Sequence, residues 1–194
     1  MGQTDPVSPS GWTDWQPLPL SHTPAAGVLA EAVDGGQAFR WERQEDTWNG
    51  QWDGHIASLR CAEGGHIEWR APSAATGPAL IRYFDGNGDP RALADSLPWR
   101  SDAHLARCLA AFPGLRILRQ PFGETLLGFL CSATKQIVQI KQMMALLALR
   151  HGAHVGGNRN RLPTWNEIAT VPEAELRKCL LGFRARYIHQ TAQF

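Results

Sequence analysis

Trp48-Asn-Gly-Gln-Trp-Asp-Gly-His-Ile-Ala-Ser-Leu-Arg-Cys61, followed by His66-Ile-Glu-Trp-Arg70, decides the fold of the first half. Both runs alternate in part between apolar and polar residues, the period of a half-buried strand. Asp53-Gly54 interrupts the longer run, and Glu63-Gly64-Gly65 separates it from the shorter one. Working outward, Glu45-Asp46 precedes Trp48, and Phe39-Arg-Trp41 is one more short run. Closely spaced runs with a turn signal between each pair predict an antiparallel meander. Seven of the eight tryptophans lie before residue 100, as a sheet core rich in large aromatics requires. Upstream, residues 23–33 read as a short helix with Thr23 as N-cap and Pro24 in its first turn. It stops at Asp34-Gly35-Gly36.

The second half reads as helical. Residues 89–95 and 102–111 each open on a capping aspartate, Asp89 and Asp102. Residues 122–131 form an apolar-rich helix. Residues 135–150 carry Ile137, Ile140, Met144 and Leu147 at three-to-four spacing, with Gly152 just beyond. Residues 163–169 and 172–181 are short helices opened by proline, and residue 184 begins another. Residues 71–90 read as a crossover and residues 151–161 as a polar loop. A sheet in residues 1–88 followed by helices in 89–194 is an α+β arrangement.

The 194 residues, 43% of them hydrophobic, suffice for one large domain or two small ones. No apolar run approaches the roughly 18 residues that a bilayer span needs, so no membrane partner is expected. Met1-Gly-Gln-Thr-Asp-Pro6 lacks the basic and apolar segments of a secretory leader, and Pro6 stands where a myristoylation motif needs Ser or Thr. Cys61, Cys108, Cys131 and Cys179 make no Cys-x-x-Cys pair. No metal site is expected, and a reduced cytosolic setting fits. The net charge of +1 hides an asymmetry. Residues 1–100 carry 7 Lys+Arg against 13 Asp+Glu, and residues 101–194 carry 12 against 5. A basic second half suits a polyanion partner, although basic solvated helix faces would give the same count.

Three local features could carry chemistry. Gly36, in Gly35-Gly-Gln-Ala-Phe-Arg-Trp41, stands between a helix end and a strand, where glycine lets the backbone approach a flat ligand. Ser132-Ala-Thr-Lys-Gln136 joins two helices, and free N–H groups at the second helix suit phosphate. In Leu181-Gly-Phe-Arg-Ala-Arg-Tyr187, arginine forks suit phosphate or a base edge, and an aromatic can wedge into a base stack. Each also has a plainer reading: a helix cap, a helix–helix turn, and a glycine terminator with its aromatics in the core.

Taken in order, the three resemble 8-oxoguanine DNA glycosylases of the helix-hairpin-helix superfamily, in their bacterial form. Trp12-Thr-Asp-Trp-Gln-Pro-Leu-Pro-Leu20 is similar to that family's N-terminal strand. Gly36-Gln-Ala-Phe-Arg-Trp41, then Leu118-Arg-Gln120 with Phe129-Leu-Cys-Ser132 and Ile137, then Leu181–Tyr187 carry the likeness over almost the whole chain. The resemblance implies a twisted antiparallel sheet like that of the TATA-binding protein, then part of a helical domain. It implies a monomer of the bacterial nucleoid acting on double-stranded DNA that contains an oxidised purine, with no cofactor. The family flips the damaged base out of the duplex. A lysine then attacks C1′ of the sugar, releases the base and forms a Schiff base, after which the strand can be cut.

The resemblance also distributes roles. Gly36 matches a carbonyl that accepts from N7–H of 8-oxoguanine, a proton guanine lacks. Phe183 matches an aromatic wedge beside the orphaned cytosine, and Arg184 an arginine contacting that cytosine. Thr134, Lys135 and Gln136 match an asparagine run of the eukaryotic members that fills the gap left by the flipped base. Thr134 cannot present an amide, and Gln139 stands where those members have a second arginine, which puts the opposite-base preference in doubt. A helix-hairpin-helix, a catalytic lysine and an aspartate are expected further along than this sequence runs. Its lysines, Lys135, Lys141 and Lys178, match none of that context. No catalytic residue is therefore assigned, and the chain is expected to carry recognition without base excision. Two alternatives stay open: a non-catalytic damaged-DNA-binding protein, and a glycosylase for alkylated purines. A chain lacking its closing helices would leave apolar residues such as Leu176, Leu180 and Ile188 without partners.

Overall fold

The computed structural model describes residues 11–156 and 158–194. The leader and acylation readings of residues 1–6, and Gly157 within the 151–161 loop, lie outside the described residues.

The meander forms as the sequence predicts. β1 (Gln16–Pro17), β2 (Trp41–Gln44), β3 (Thr47–Trp52), β4 (His55–Cys61) and β5 (Ile67–Arg70) make one sheet of order β1-β5-β4-β3-β2, with every pairing antiparallel. The β3–β4 hairpin closes on Asp53 (φ 44°) and Gly54 (φ 76°), the paired left-handed residues of a turn whose twist matches its strands. β1 is shorter than the strand expected over residues 12–20. Pro17 and Pro19 donate no hydrogen bond, so only scattered rungs extend the pairing. Thr13 N–H reaches Ala71 O and Leu18 N–H reaches Ile67 O, both at 2.8 Å. Beneath the sheet, Trp41 stacks on Trp52 at 5.8 Å and gives its indole N–H to the Tyr83 hydroxyl at 3.1 Å. A Cβ on Gly50 would lie 2.2 Å from the Trp41 ring, so the bare backbone lets that ring lie flat.

Two helices cover this core. α1 (Ala26–Asp34) begins later than predicted, behind Ala25, and no side chain caps it. Thr23 is therefore not its N-cap. α2 (Thr76–Tyr83) occupies what the sequence suggested was a plain crossover. Gly77 and Pro78 disguise it, yet proline in a first turn removes no intrahelical bond. α3 (Pro90–Ser96) and α4 (Ala103–Ala111) start on Asp89 and Asp102 as predicted, each aspartate accepting two backbone N–H groups. Neither helix contributes a buried residue. Leu118 then returns to the first core, and Arg119 N–H bonds Tyr83 O at 2.8 Å.

The second core belongs to α5 (Phe122–Ser132), α6 (Ile137–His151), α7 (Trp165–Thr170), α8 (Glu173–Leu176) and α9 (Arg184–Gln193). α7 is capped by Thr164 rather than started by Pro163. The helix expected over 172–181 breaks at Arg177 into a wide turn, because Leu180 adopts φ 61°. That turn buries Cys179 and Leu181 and leaves Leu180 59% exposed. Leu176 and Ile188 are fully buried, so only Leu180 of the three named residues lacks a covering partner. The loop of residues 151–161 contains a small ladder, β6 (His154–Gly156) with β7 (Arg159–Asn160). Among the described residues, no helix is long and apolar enough to cross a membrane.

Candidate nucleic-acid interface

Gly36 follows α1 with φ 105°, a region L side chains rarely adopt. A Cβ there would touch Ile137 Cδ1 at 3.4 Å, so the first glycine motif abuts the first residue of α6. No hydrogen bond to the Gly36 carbonyl occurs among the described residues. Next to it, Gln37 fastens the sheet side to the extended segment of residues 116–120. Its amide donates to Arg116 O at 3.0 Å and accepts from Leu118 N–H at 2.9 Å. Gln120 Nε2 donates to Gln37 O at 2.5 Å.

These contacts frame a cavity of about 480 Å³. Gly36, Arg40, Trp52 and Tyr83 line one side, and Gln120, Glu124, Phe129 and Ser132 line the other. Arg40 donates to Gln51 Oε1 at 2.7 Å and Asn160 O at 2.8 Å, and burial holds its pKa below the usual arginine range. Burial likewise pushes Glu124 up, opposed chiefly by the Asp53 N–H that its Oε1 accepts at 2.9 Å. The rim is apolar and open: Ile117, Phe122 and Phe129 are 86%, 80% and 70% exposed.

The α5–α6 turn lies beside Gly36. Thr134 takes φ 55°, Thr134 and Gln136 are exposed, and Lys135 is half-buried. Gln139, at the position of the missing arginine, accepts Gln136 N–H at 3.2 Å and so caps the helix start. Phe183, 56% exposed, meets Tyr187 edge-on at 6.2 Å. Gly182, at φ 56°, carries the chain out of the wide turn into α9. Arg184 joins these two segments. Its Nη2 donates to Ala133 O and, at 3.1 Å, to Thr134 Oγ1. It is 4% exposed, enclosed between the turn and α9. Gly36, residues 133–136 and Phe183 therefore lie close together, with the buried Arg184 between the last two, although they are far apart in sequence.

The sequence profile of the family described as 8-oxoguanine DNA glycosylase, N-terminal domain, matches residues 20–126. The chain belongs to the 8-oxoguanine DNA glycosylase family. The N-glycosylase/DNA lyase OGG1 of Arabidopsis thaliana is 29% identical over 191 residues, covering 94% of this chain and 52% of that protein. An N-glycosylase/DNA lyase of Saccharomyces cerevisiae is 30% identical over 184 residues, covering 85% and 48%. The chain thus spans about half the length of these curated relatives. The crystal structure of the Clostridium acetobutylicum 8-oxoguanine glycosylase/lyase, in complex with dsDNA containing cytosine opposite 8-oxoG, superimposes with a TM-score of 0.75 at 26% identity. It is matched over 85% of this chain and 58% of that one.

Against this family background, the lysines sort by their surroundings. Lys141 Nζ pairs with Asp34 at 2.5 Å and donates to Trp41 O at 2.8 Å, tying α6 to the end of α1 and the start of β2. Lys178 pairs with Glu175 at 2.6 Å on an exposed face. Neither lines the cavity beside Gly36, although Lys141 borders a second, polar one of about 350 Å³ with Arg40 and Asn160. Among the cysteines, Cys131 and Cys179 are buried, and burial pushes the Cys131 thiol up to about 12. Sequence reading quoted Gln37 and Gln120 without giving them a task, and missed Glu124 entirely. The available signal was a lone acid in the otherwise apolar helix Phe122–Ser132.

Proposed function

We propose that this chain recognises 8-oxoguanine in duplex DNA for base-excision repair and does not itself excise the base. The convergence of the three recognition segments carries this reading. Gly36 borders a cavity large enough for a flipped purine, and a backbone carbonyl there would accept from the N7–H of 8-oxoguanine but not from the N7 acceptor of guanine. The turn Thr134, Lys135 and Gln136 and the ring of Phe183 stand next to it, where a duplex must be opened and its gap filled. Thr134 is shorter than asparagine, so selectivity for the base opposite the lesion is expected to be loose. The absence of excision rests on the lysines. A Schiff-base nucleophile needs a lowered pKa and a pocket. Lys141 and Lys178 are held in ion pairs outside the cavity, and Lys135 belongs to the gap-filling turn.

Fluorescence anisotropy with matched duplexes tests both parts. Duplex containing 8-oxoguanine is expected to bind more tightly than the same duplex with guanine, and equal affinity would sink the recognition reading. Borohydride treatment of the mixture is expected to trap no covalent adduct. A trapped adduct with strand cleavage would show that one of the three lysines is a nucleophile.

A further inference from the structure

The second cavity, of about 350 Å³, opens at the seam between sheet and helices. β2 and β3 supply Glu42 and Gln51, α6 supplies Lys141, and the β6–β7 hairpin supplies Arg159. Arg40 and Gln51 line this cavity and also the one beside Gly36. Its walls carry the cations Arg40, Lys141 and Arg159 against one carboxylate among the described lining residues, Glu42. Asp34, outside the wall, pairs with Lys141. Arg40 has no ion pair: its short bonds go to the neutral acceptors Gln51 Oε1 and Asn160 O. Glu124 acts on it from the other cavity, at longer range than a salt bridge. Arg159 has no ion pair among the described residues. Gln51 is 4% exposed, and the bond from Arg40 to its Oε1 fixes which end of the amide is the donor. Nε2 is therefore a buried donor, and it has no acceptor among the described residues. Such a group marks a place where an acceptor belongs. Water would satisfy Nε2 but leave the excess positive charge; an anion answers both.

We propose that this cavity is a seat for a small phosphate-bearing anion, separate from the cavity beside Gly36. The donors are Gln51 Nε2, the Arg159 guanidinium, and the Lys141 N–H left over after Asp34 and Trp41 O have taken the other two. They come from β3, the hairpin and α6, and so from different sides. A phosphate monoester presents oxygens in several directions, whereas a carboxylate presents two in one plane, so the phosphate suits the set better. The volume admits more than an orthophosphate, and a nucleoside monophosphate is the class that fits. An anion held there also braces the seam between the two cores. A free nucleotide and a phosphate of a DNA strand share this chemistry. The proposal is independent of the role given to Gly36.

The test adds inorganic phosphate, deoxyguanosine monophosphate or deoxyguanosine to the full chain at constant ionic strength. Heteronuclear NMR follows the side-chain amide of Gln51, calorimetry gives the affinity, and melts give the stability. The monophosphate is expected to bind with a Kd on the order of 1 mM or tighter, to shift the Gln51 amide saturably and to raise the melting temperature. Inorganic phosphate should shift the same signal, and deoxyguanosine should not. Arg159→Gln should weaken the monophosphate by about tenfold and leave the ligand-free melting temperature unchanged, since it has no ion pair to lose. Gln51→Glu keeps the acceptor for Arg40 but replaces the free donor with negative charge, and should abolish binding. No saturation by about 10 mM monophosphate would overturn the proposal. So would wild-type affinity in Arg159→Gln, binding that leaves the Gln51 amide unmoved, or equal binding of deoxyguanosine. Undamaged duplex is then added to the loaded protein. Release of the monophosphate with the Gln51 signal still shifted assigns the seat to a strand phosphate; simultaneous binding assigns it to a free anion, and both results uphold the seat.

Discussion

At Gly36, φ of 105° is a backbone state that costs an L side chain on the order of 1–3 kcal/mol. The nearest atom to an added Cβ is Ile137 Cδ1 at 3.4 Å, an ordinary contact. The strain is therefore conformational, and relaxing it would turn a peptide in the cavity wall. Gly36→Ala is expected to lower stability by about 1–2 kcal/mol in urea melts and to reduce the ratio of 8-oxoguanine to guanine affinity. Loss of stability with the ratio intact would separate Gly36 from base reading. Glu167 makes a different prediction, about acid. The Arg161 guanidinium, followed by Thr164, holds its carboxylate down to about 2 from the usual 4.5. A depressed carboxylate contributes stability above its unfolded pKa and loses it as pH falls through the folded one. The wild-type melting temperature should therefore fall between about pH 4.5 and 2 more than that of Glu167→Gln. The side chain is 41% exposed, so solvent screening keeps the difference small.

Among the elements, α6 ties the sheet to the helices through Lys141, and two lysines show what such a tie is worth. Lys141 is 22% exposed and has two partners on other elements. Lys178 is 55% exposed and pairs only within its own turn. Lys141→Met is expected to cost about 1–2 kcal/mol, and Lys178→Met to stay within about 0.5 kcal/mol. Equal effects in denaturant titrations would contradict the ranking. The same elements show what was legible in advance. Strand β4 and the capped helices α3 and α4 were readable because alternation, a turn pair or a capping aspartate is local information. α2 was not, because Gly77 and Pro78 imitate a loop. The break at Leu180 was not, because its left-handed conformation is imposed by burying Cys179 and Leu181 on either side. At the site, Gly36, residues 134–136 and Phe183 were legible as motifs. The inward turn of Arg184 was not: its acceptors are a carbonyl and a hydroxyl about fifty residues upstream, and no spacing rule encodes that contact.

Over the whole molecule, the charge asymmetry is smaller in effect than in count. Of the 12 Lys+Arg in residues 101–194, Arg116 and Arg119 pair with Asp85, Lys141 with Asp34, Arg161 with Glu167, Arg177 with Glu173 and Lys178 with Glu175. Three of those pairings reach back into the acidic first half, so part of the opposite charge on the two halves cancels inside the fold. Arg184 is buried. Arg107, Lys135, Arg150, Arg159 and Arg186 remain without an ion pair among the described residues. A duplex phosphate can displace counterions only through cations that are free to meet it, and each such contact adds about −0.9 to the slope of log K against log salt. Five contacts from residues 101–194 give about −4.5 for that half, well short of the value that all its 12 charges would produce. Anisotropy titrations with undamaged duplex from low to moderate potassium chloride should therefore give a slope no steeper than about −5. Lys135→Gln should make it shallower by about 1, because Lys135 sits in the turn placed at the duplex gap. A slope near −7 would mean that the ion pairs of Arg116 and Arg119 to Asp85 and of Lys141 to Asp34 open on binding, freeing three more cations for phosphate.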